Sequence, residues 1–159
     1  NKMLDIDLST PLTGDIYLAG QFNDGIPQGG SDYINRVWLY GLSVDFKFQP
    51  NYGFSNLSVY VRNEKTQDTS YQVTLAWGQP FSIGGLNLAF NGFMDVWKDD
   101  VRTVIITEPQ IRLNLSSFFD NDNFLSNCSV GTEIEISKDF FDKDAGWKIN
   151  PTGFFALSL

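Results

Sequence analysis

The sequence predicts an all-β protein, an antiparallel barrel with strands long enough to cross a bilayer. Three observations predict it. Apolar and polar residues alternate with a period of two from end to end, and helical spacing is almost absent. Several alternating runs extend for about 12 residues or more, against about 5–6 in a typical soluble strand and about 9–11 for a tilted strand that crosses a bilayer. The apolar sides of the runs also end in Trp, Tyr or Phe, as a membrane–water interface favours.

The runs follow in order. Leu4, Ile6 and Leu8 oppose Asp5 and Asp7. Ile16, Leu18 and Phe22 oppose Tyr17, Ala19 and Gln21. In "INRVWLYGLSVDFKF", Trp38, Tyr40, Leu42, Val44, Phe46 and Phe48 share a side against Asn35, Gly41, Ser43, Asp45 and Lys47. Leu57, Val59 and Val61 oppose Ser58, Tyr60 and Arg62, and Tyr71, Val73, Leu75 and Trp77 oppose Gln72, Thr74 and Ala76. Leu86, Leu88, Phe90, Met94 and Val96 oppose Asn87, Asn91, Phe93, Asp95 and Trp97. Thr107, Pro109, Ile111, Leu113 and Leu115 oppose Glu108, Gln110, Arg112 and Asn114. "VGTEIEIS" sets Val130, Thr132, Ile134 and Ile136 against Glu133 and Glu135. The last run sets Trp147, Ile149, Phe155, Leu157 and Leu159 against Lys148, Asn150, Thr152 and Ser158. The segments between them, such as "STPLTG", "QPNYG", "QPFSIGG" and "FDNDN", carry turn chemistry. About nine strands result, in a single domain spanning residues 1–159. A closed bacterial barrel has an even number of strands and no open edge, so some N-terminal strands are expected to be missing from this chain. No signal peptide is visible, and the first residue is Asn1.

Composition excludes several functions. With 11 Lys+Arg against 19 Asp+Glu and a net charge of -8, the chain lacks the basic stripe that nucleic acid needs. The absence of His removes the commonest general base and most zinc and haem sites. Cys128 is the single cysteine, so it forms no disulfide within the chain and belongs to no Cys-cluster metal site. No apolar run reaches the length of a transmembrane helix. No enzymatic activity, cofactor or metal is expected.

In a lipid-embedded barrel the aliphatic sides face the acyl chains and the polar sides face water. Trp38, Phe48, Tyr71, Trp77 and Trp147 are then expected at the lipid interfaces. Asn87, Asn91, Asp95, Glu108, Gln110, Arg112, Asn114, Glu133, Glu135, Tyr60 and Arg62 are expected along the lumen, where charges set ion preference and amides hold polar solutes. The alternative is a narrow lumen closed by salt-bridged side chains of its own, for example Arg112 with Glu108 or Glu133. Glu133 and Glu135 stand about 6–7 Å apart by strand rise, within reach of an acid–base pair, but nothing else supports hydrolysis. The acidic loops do not match the calcium-loop spacing. Cys128 shares a side with Val130 and reads as a small lipid-facing or packed thiol. Pro109 and Pro151 fit a strand poorly, since each removes a ladder donor.

Four segments, "FNGFMDVWKDD", "VIITEPQIRLNLSSFF", "LSNCSVGTEIEIS" and "WKINPTGFFALSL", resemble the nucleoside-specific channel-forming outer-membrane porins, the Tsx-like family, in a branch with little assigned function. The matching motifs fall at Gly92–Trp97, Thr107–Gln110, Val130–Glu135 and Asn150–Thr152, and the resemblance runs from about Ile34 onward. It implies a twelve-stranded barrel in the bacterial outer membrane, of which about nine strands are present here. It also implies passive diffusion of small polar solutes, nucleosides among them. The implied partners are outer-membrane lipid or lipopolysaccharide, the solute, and other outer-membrane proteins. Two rival readings are a plugged barrel acting as an accessory subunit of a larger complex, and a soluble β-barrel or sandwich that binds a ligand.

Overall fold

The computed structural model describes residues 2–26, 36–46, 53–65, 67–99, 102–119, 124–140 and 146–157. It is all-β and antiparallel. Ten strands form one sheet: β1 (Lys2–Thr13), β2 (Ile16–Ile26), β3 (Val37–Phe46), β4 (Phe54–Glu64), β5 (Ser70–Ile83), β6 (Leu86–Lys98), β7 (Thr103–Thr107), β8 (Gln110–Asn114), β9 (Cys128–Lys138) and β10 (Trp147–Leu157). Neighbours in sequence are neighbours in space, as hairpin connections dictate. Two short 3₁₀ turns, Leu115–Ser117 and Phe124–Asn127, separate β8 from β9.

β7 and β8 are two halves of one stave. β7 pairs Met94↔Thr107 on β6 and Thr107↔Ile136 on β9, and β8 resumes at Asn91↔Gln110 and Gln110↔Glu133 with no residue gained or lost. The gap is Glu108–Pro109, where the proline nitrogen has no hydrogen to give. The carbonyl of Pro109 still accepts from the Ile134 N–H at 3.1 Å. The nine predicted runs therefore correspond to nine staves.

The other strand prolines also sit where pairing is one-sided. Pro11 and Pro151 lie in β1 and β10, the two ends of the strand order. Pro80 lies in β5 beyond Gly78, where pairing with β4 has stopped and only β6 continues. A residue that cannot donate is tolerated at a ladder's bare side.

Two segments read as turns belong largely to strands. "QPFSIGG" continues β5 to Ile83 and closes in a two-residue turn, Gly84–Gly85, with φ of 56° and 84°. Positive φ at both positions gives the hairpin twist that L side chains resist. "STPLTG" likewise carries β1 to Thr13 with a bulge between Pro11 and Thr13.

The two faces of the sheet are inverted relative to a water-soluble fold. Leu42, Val59 and Ile149 are 53%, 50% and 68% exposed, whereas Ser58, Gln72 and Ser137 are 2%, 3% and 1% exposed. Trp38, Tyr40, Val44, Leu57, Val73, Ile111, Val130, Ile134 and Phe155 are exposed on the same apolar side. Buried apolar residues form two small clusters on the other side. Ala19, Val37, Leu39 and Tyr60 make the first, and Trp97, Val104 and Ile106 the second, with Phe93 and Phe140 against it. Among the described residues β1 and β10 do not pair with each other.

Candidate functional site

The strand registers gather the polar side chains onto one face. Tyr60 stands opposite Gln72, Ser58 opposite Ser43 and Thr74, and Thr74 opposite Asp95. Asn91 stands opposite Gln110, which stands opposite Glu133, and Asn114 opposite Ser129. Because side chains alternate along a strand, these pairs place all eleven residues predicted for the lumen on the same side.

Three local arrangements occupy that face. The first is a hydrogen-bond chain crossing β4, β5 and β6. Arg62 Nη2 donates to Glu64 Oε2 at 2.8 Å, and its Nη1 donates to Gln72 Oε1 at 2.7 Å. Gln72 Nε2 donates to Thr74 Oγ1 at 3.1 Å, and Thr74 Oγ1 donates to Asp95 Oδ1 at 2.6 Å. The Arg62 guanidinium also stacks 4.6 Å from the Trp97 ring, which ties the chain to the second apolar cluster. Below it, Asn56 Nδ2 donates to Ser43 Oγ at 2.6 Å and to Asp45 Oδ1 at 2.7 Å, while Ser58 Oγ donates to Ser43 Oγ at 2.8 Å.

The second arrangement is a group of carboxylates on the β7–β8–β9 wall. Glu108, at the proline gap, lies in the fields of Glu133, Glu135 and Asp95. Gln110 Nε2 donates to Glu133 Oε2, and Ser137 Oγ donates to Glu135 Oε1 at 3.4 Å. Among the described residues no three of these groups converge as metal ligands would.

The third is Arg112. It does not bridge to Glu108 or Glu133, the pairing given above as an example of a filled lumen. Its register neighbours are Ala89 and Gly131, and its guanidinium lies 5.4 Å from the Phe154 ring. The reason is spacing: Glu133 is two residues further along β9, where Gln110 already holds it. Gly131 opens the room that Phe154 fills. A Cβ there would come within 2.6 Å of the Ile111 carbonyl oxygen.

Asn87 is exposed near the β5–β6 turn, and its N–H donates to Ser117 Oγ at 2.7 Å. Of the interface aromatics, Trp38, Tyr71 and Trp147 are exposed on the apolar side. Trp77 is half-buried, lying across Gly92 and 5.8 Å from Phe90. Phe48 lies outside the described residues. Trp97, which the alternation sets on the side of Asn91 and Asp95, is buried there. The sequence reading missed Glu64, Gln72, Thr74 and Phe154 as partners. Their signal was parity of position within each run, which becomes a contact only once the register is known.

A family profile described as "Domain of unknown function (DUF5020)" matches residues 13–157. No curated protein and no solved structure matches the chain.

Proposed function

The chain belongs to the DUF5020 family, and on that premise we propose that it is a wall-forming protein of the bacterial outer membrane. In this reading its apolar face meets lipid and its polar face lines a narrow path for passive diffusion of small polar solutes. The inversion of the two faces is the observation that carries this reading. Aliphatic and aromatic side chains stand exposed over most strands, while serines, Gln72 and an Arg–Glu pair are covered. Water favours the opposite arrangement, and an apolar surrounding favours this one.

Dimensions support the reading. β4, β9 and β10 each have 11 residues. Such a strand is about 36 Å long and, tilted by about 45°, covers about 26 Å of membrane depth, close to the apolar band of outer-membrane barrels. The lining is rich in carboxylates, so it favours cations and neutral polar solutes over anions. Nucleosides enter as candidate solutes through the sequence resemblance. The absence of a long apolar helix among the described residues says nothing against a strand-built membrane protein.

A second reading has its own observation. Val37, Leu39, Tyr60, Trp97, Val104 and Ile106 are buried on the polar side, beside the Arg62–Glu64 pair. Such a layer would close the path and leave a structural subunit of a larger assembly.

Proteoliposome flux separates the two. Glycerol and uridine should enter vesicles carrying the protein, and Glu133→Ala should alter the uridine rate. Faster gel migration of unboiled protein would accompany this result. Heat-modifiable protein with no flux of either solute supports the closed subunit. Protein that folds in buffer without detergent and shows no heat shift refutes both readings.

A further inference from the structure

We propose that Arg112 is the oxyanion-docking residue of the polar face. It takes the carboxylate or phosphate group of a small solute whose remaining donors point toward the carboxylates of Glu108 and Glu135. This rests on the reading of that face as a solute path.

Arg62, Arg102 and Arg112 are met by different neighbours. Arg62 has Glu64 and Gln72, and Arg102 has Asp99 at 3.7 Å. Each of the three has a buried Nε without a hydrogen-bond partner, but Arg62 and Arg102 meet a carboxylate through their Nη atoms, whereas Arg112 meets no acceptor among the described residues and has only the Phe154 ring. A guanidinium is always charged and presents five donors in a rigid fork that suits carboxylate and phosphate. Leaving such donors unused inside a partly covered face is unfavourable unless water or a ligand meets them.

The surroundings keep the fork available. The flanking register positions are Ala89 and Gly131, which reach nothing across the sheet. The nearest carboxylate along β9, Glu133, is held by Gln110. The Phe154 ring, 5.4 Å from the guanidinium carbon, attracts the charge through its face and offers no hydrogen-bond acceptor oxygen. The lining beyond is acidic, with Asp95, Glu108, Glu133 and Glu135 on one face. A solute with only negative charge is repelled there, so the fit is to an oxyanion accompanied by an ammonium or other donors, as in a zwitterion.

The test uses the full chain folded in detergent micelles and in proteoliposomes. The Arg112 Nε–H resonance is followed by nitrogen-15 NMR during titration with alanine, acetate and inorganic phosphate. A saturable shift with alanine, at lower concentration than with acetate or phosphate, supports the docking of a zwitterion, and tighter binding of acetate or phosphate than of alanine overturns it. No shift with any of the three overturns the proposal. In vesicles, Arg112→Gln should slow alanine entry about 10- to 100-fold, the loss expected for a charge-assisted contact. Glycerol entry should stay unchanged, and Arg112→Lys should retain part of the alanine rate. Equal slowing of alanine and glycerol overturns the proposal in favour of a lumen-shaping role. Succinate passing as fast as alanine also overturns it. A saturable Nε–H shift without glycerol flux leaves docking standing and removes the channel reading.

Discussion

Val59 is the central residue of β4, and Val59→Arg puts the apolar face to its sharpest test. Its register neighbours are Leu42 on β3 and Val73 on β5, and half of its surface is exposed. If water covers this face, little is lost. Complete burial of a valine is worth at least about 1.5 kcal/mol, half of that is at stake, and the arginine stem recovers part of it. The net change is then below about 1 kcal/mol. If lipid covers the face, a charge at the bilayer midplane costs about 2–4 kcal/mol. That lowers the folding equilibrium about 30- to 900-fold. The assay is urea unfolding in lipid vesicles, read by tryptophan fluorescence and unboiled gel mobility. Tyr71→Arg, at the start of β5 on the same apolar face, is the control, with an expected cost of about 0–1 kcal/mol. Equal stability of Val59→Arg and the parent in vesicles would refute the lipid assignment. So would a cost at Tyr71 as large as that at Val59.

Three further outcomes are expected. Arg62→Ala should destabilise the folded protein by about 3 kcal/mol, because Glu64 stays covered and loses the Arg62 guanidinium, and the Arg62→Ala/Glu64→Ala pair should recover part of the loss in the same unfolding assay. Gly131→Ala should cost about 1–3 kcal/mol, since its Cβ meets the Ile111 backbone carbonyl as well as the Phe154 ring; refolding yield as high as the parent's would contradict this close approach. Pro151→Ala should change stability by less than about 0.5 kcal/mol, whereas Val73→Pro in the middle of the sheet should prevent folding, with gel mobility as the readout.

Much of this architecture was legible because a period of two is a strong signal over long runs. In β9, Val130, Thr132 and Ile134 are exposed and Glu133 and Glu135 half-buried, as their alternation predicts. The reading faltered where alternation itself fails. "TVIIT" of β7 has apolar residues on both faces, because Val104 and Ile106 pack against Trp97. The same cluster explains why Trp97 sits inside. "QPFSIGG" looked like a turn because its Pro and Gly are turn residues, yet a one-sided ladder accepts the proline and only the two glycines turn. The hydrogen-bond chain from Glu64 to Asp95 was invisible for another reason. It depends on the register of three strands, and a single strand's pattern carries no register.

The inverted faces bear on how such a chain reaches its fold. In water, hydrophobic collapse would gather Leu42, Val59, Val73 and Ile149 and expose the serines and carboxylates, which is the reverse of the sheet described here. Backbone pairing and side-chain alternation specify the staves, but the sign of the faces is supplied by the surroundings. The sequence therefore encodes its structure jointly with a solvent. On the proposed lipid reading, a chain released into water exposes sticky strands until it meets the membrane, and its productive folding calls for an escort that shields them on the way.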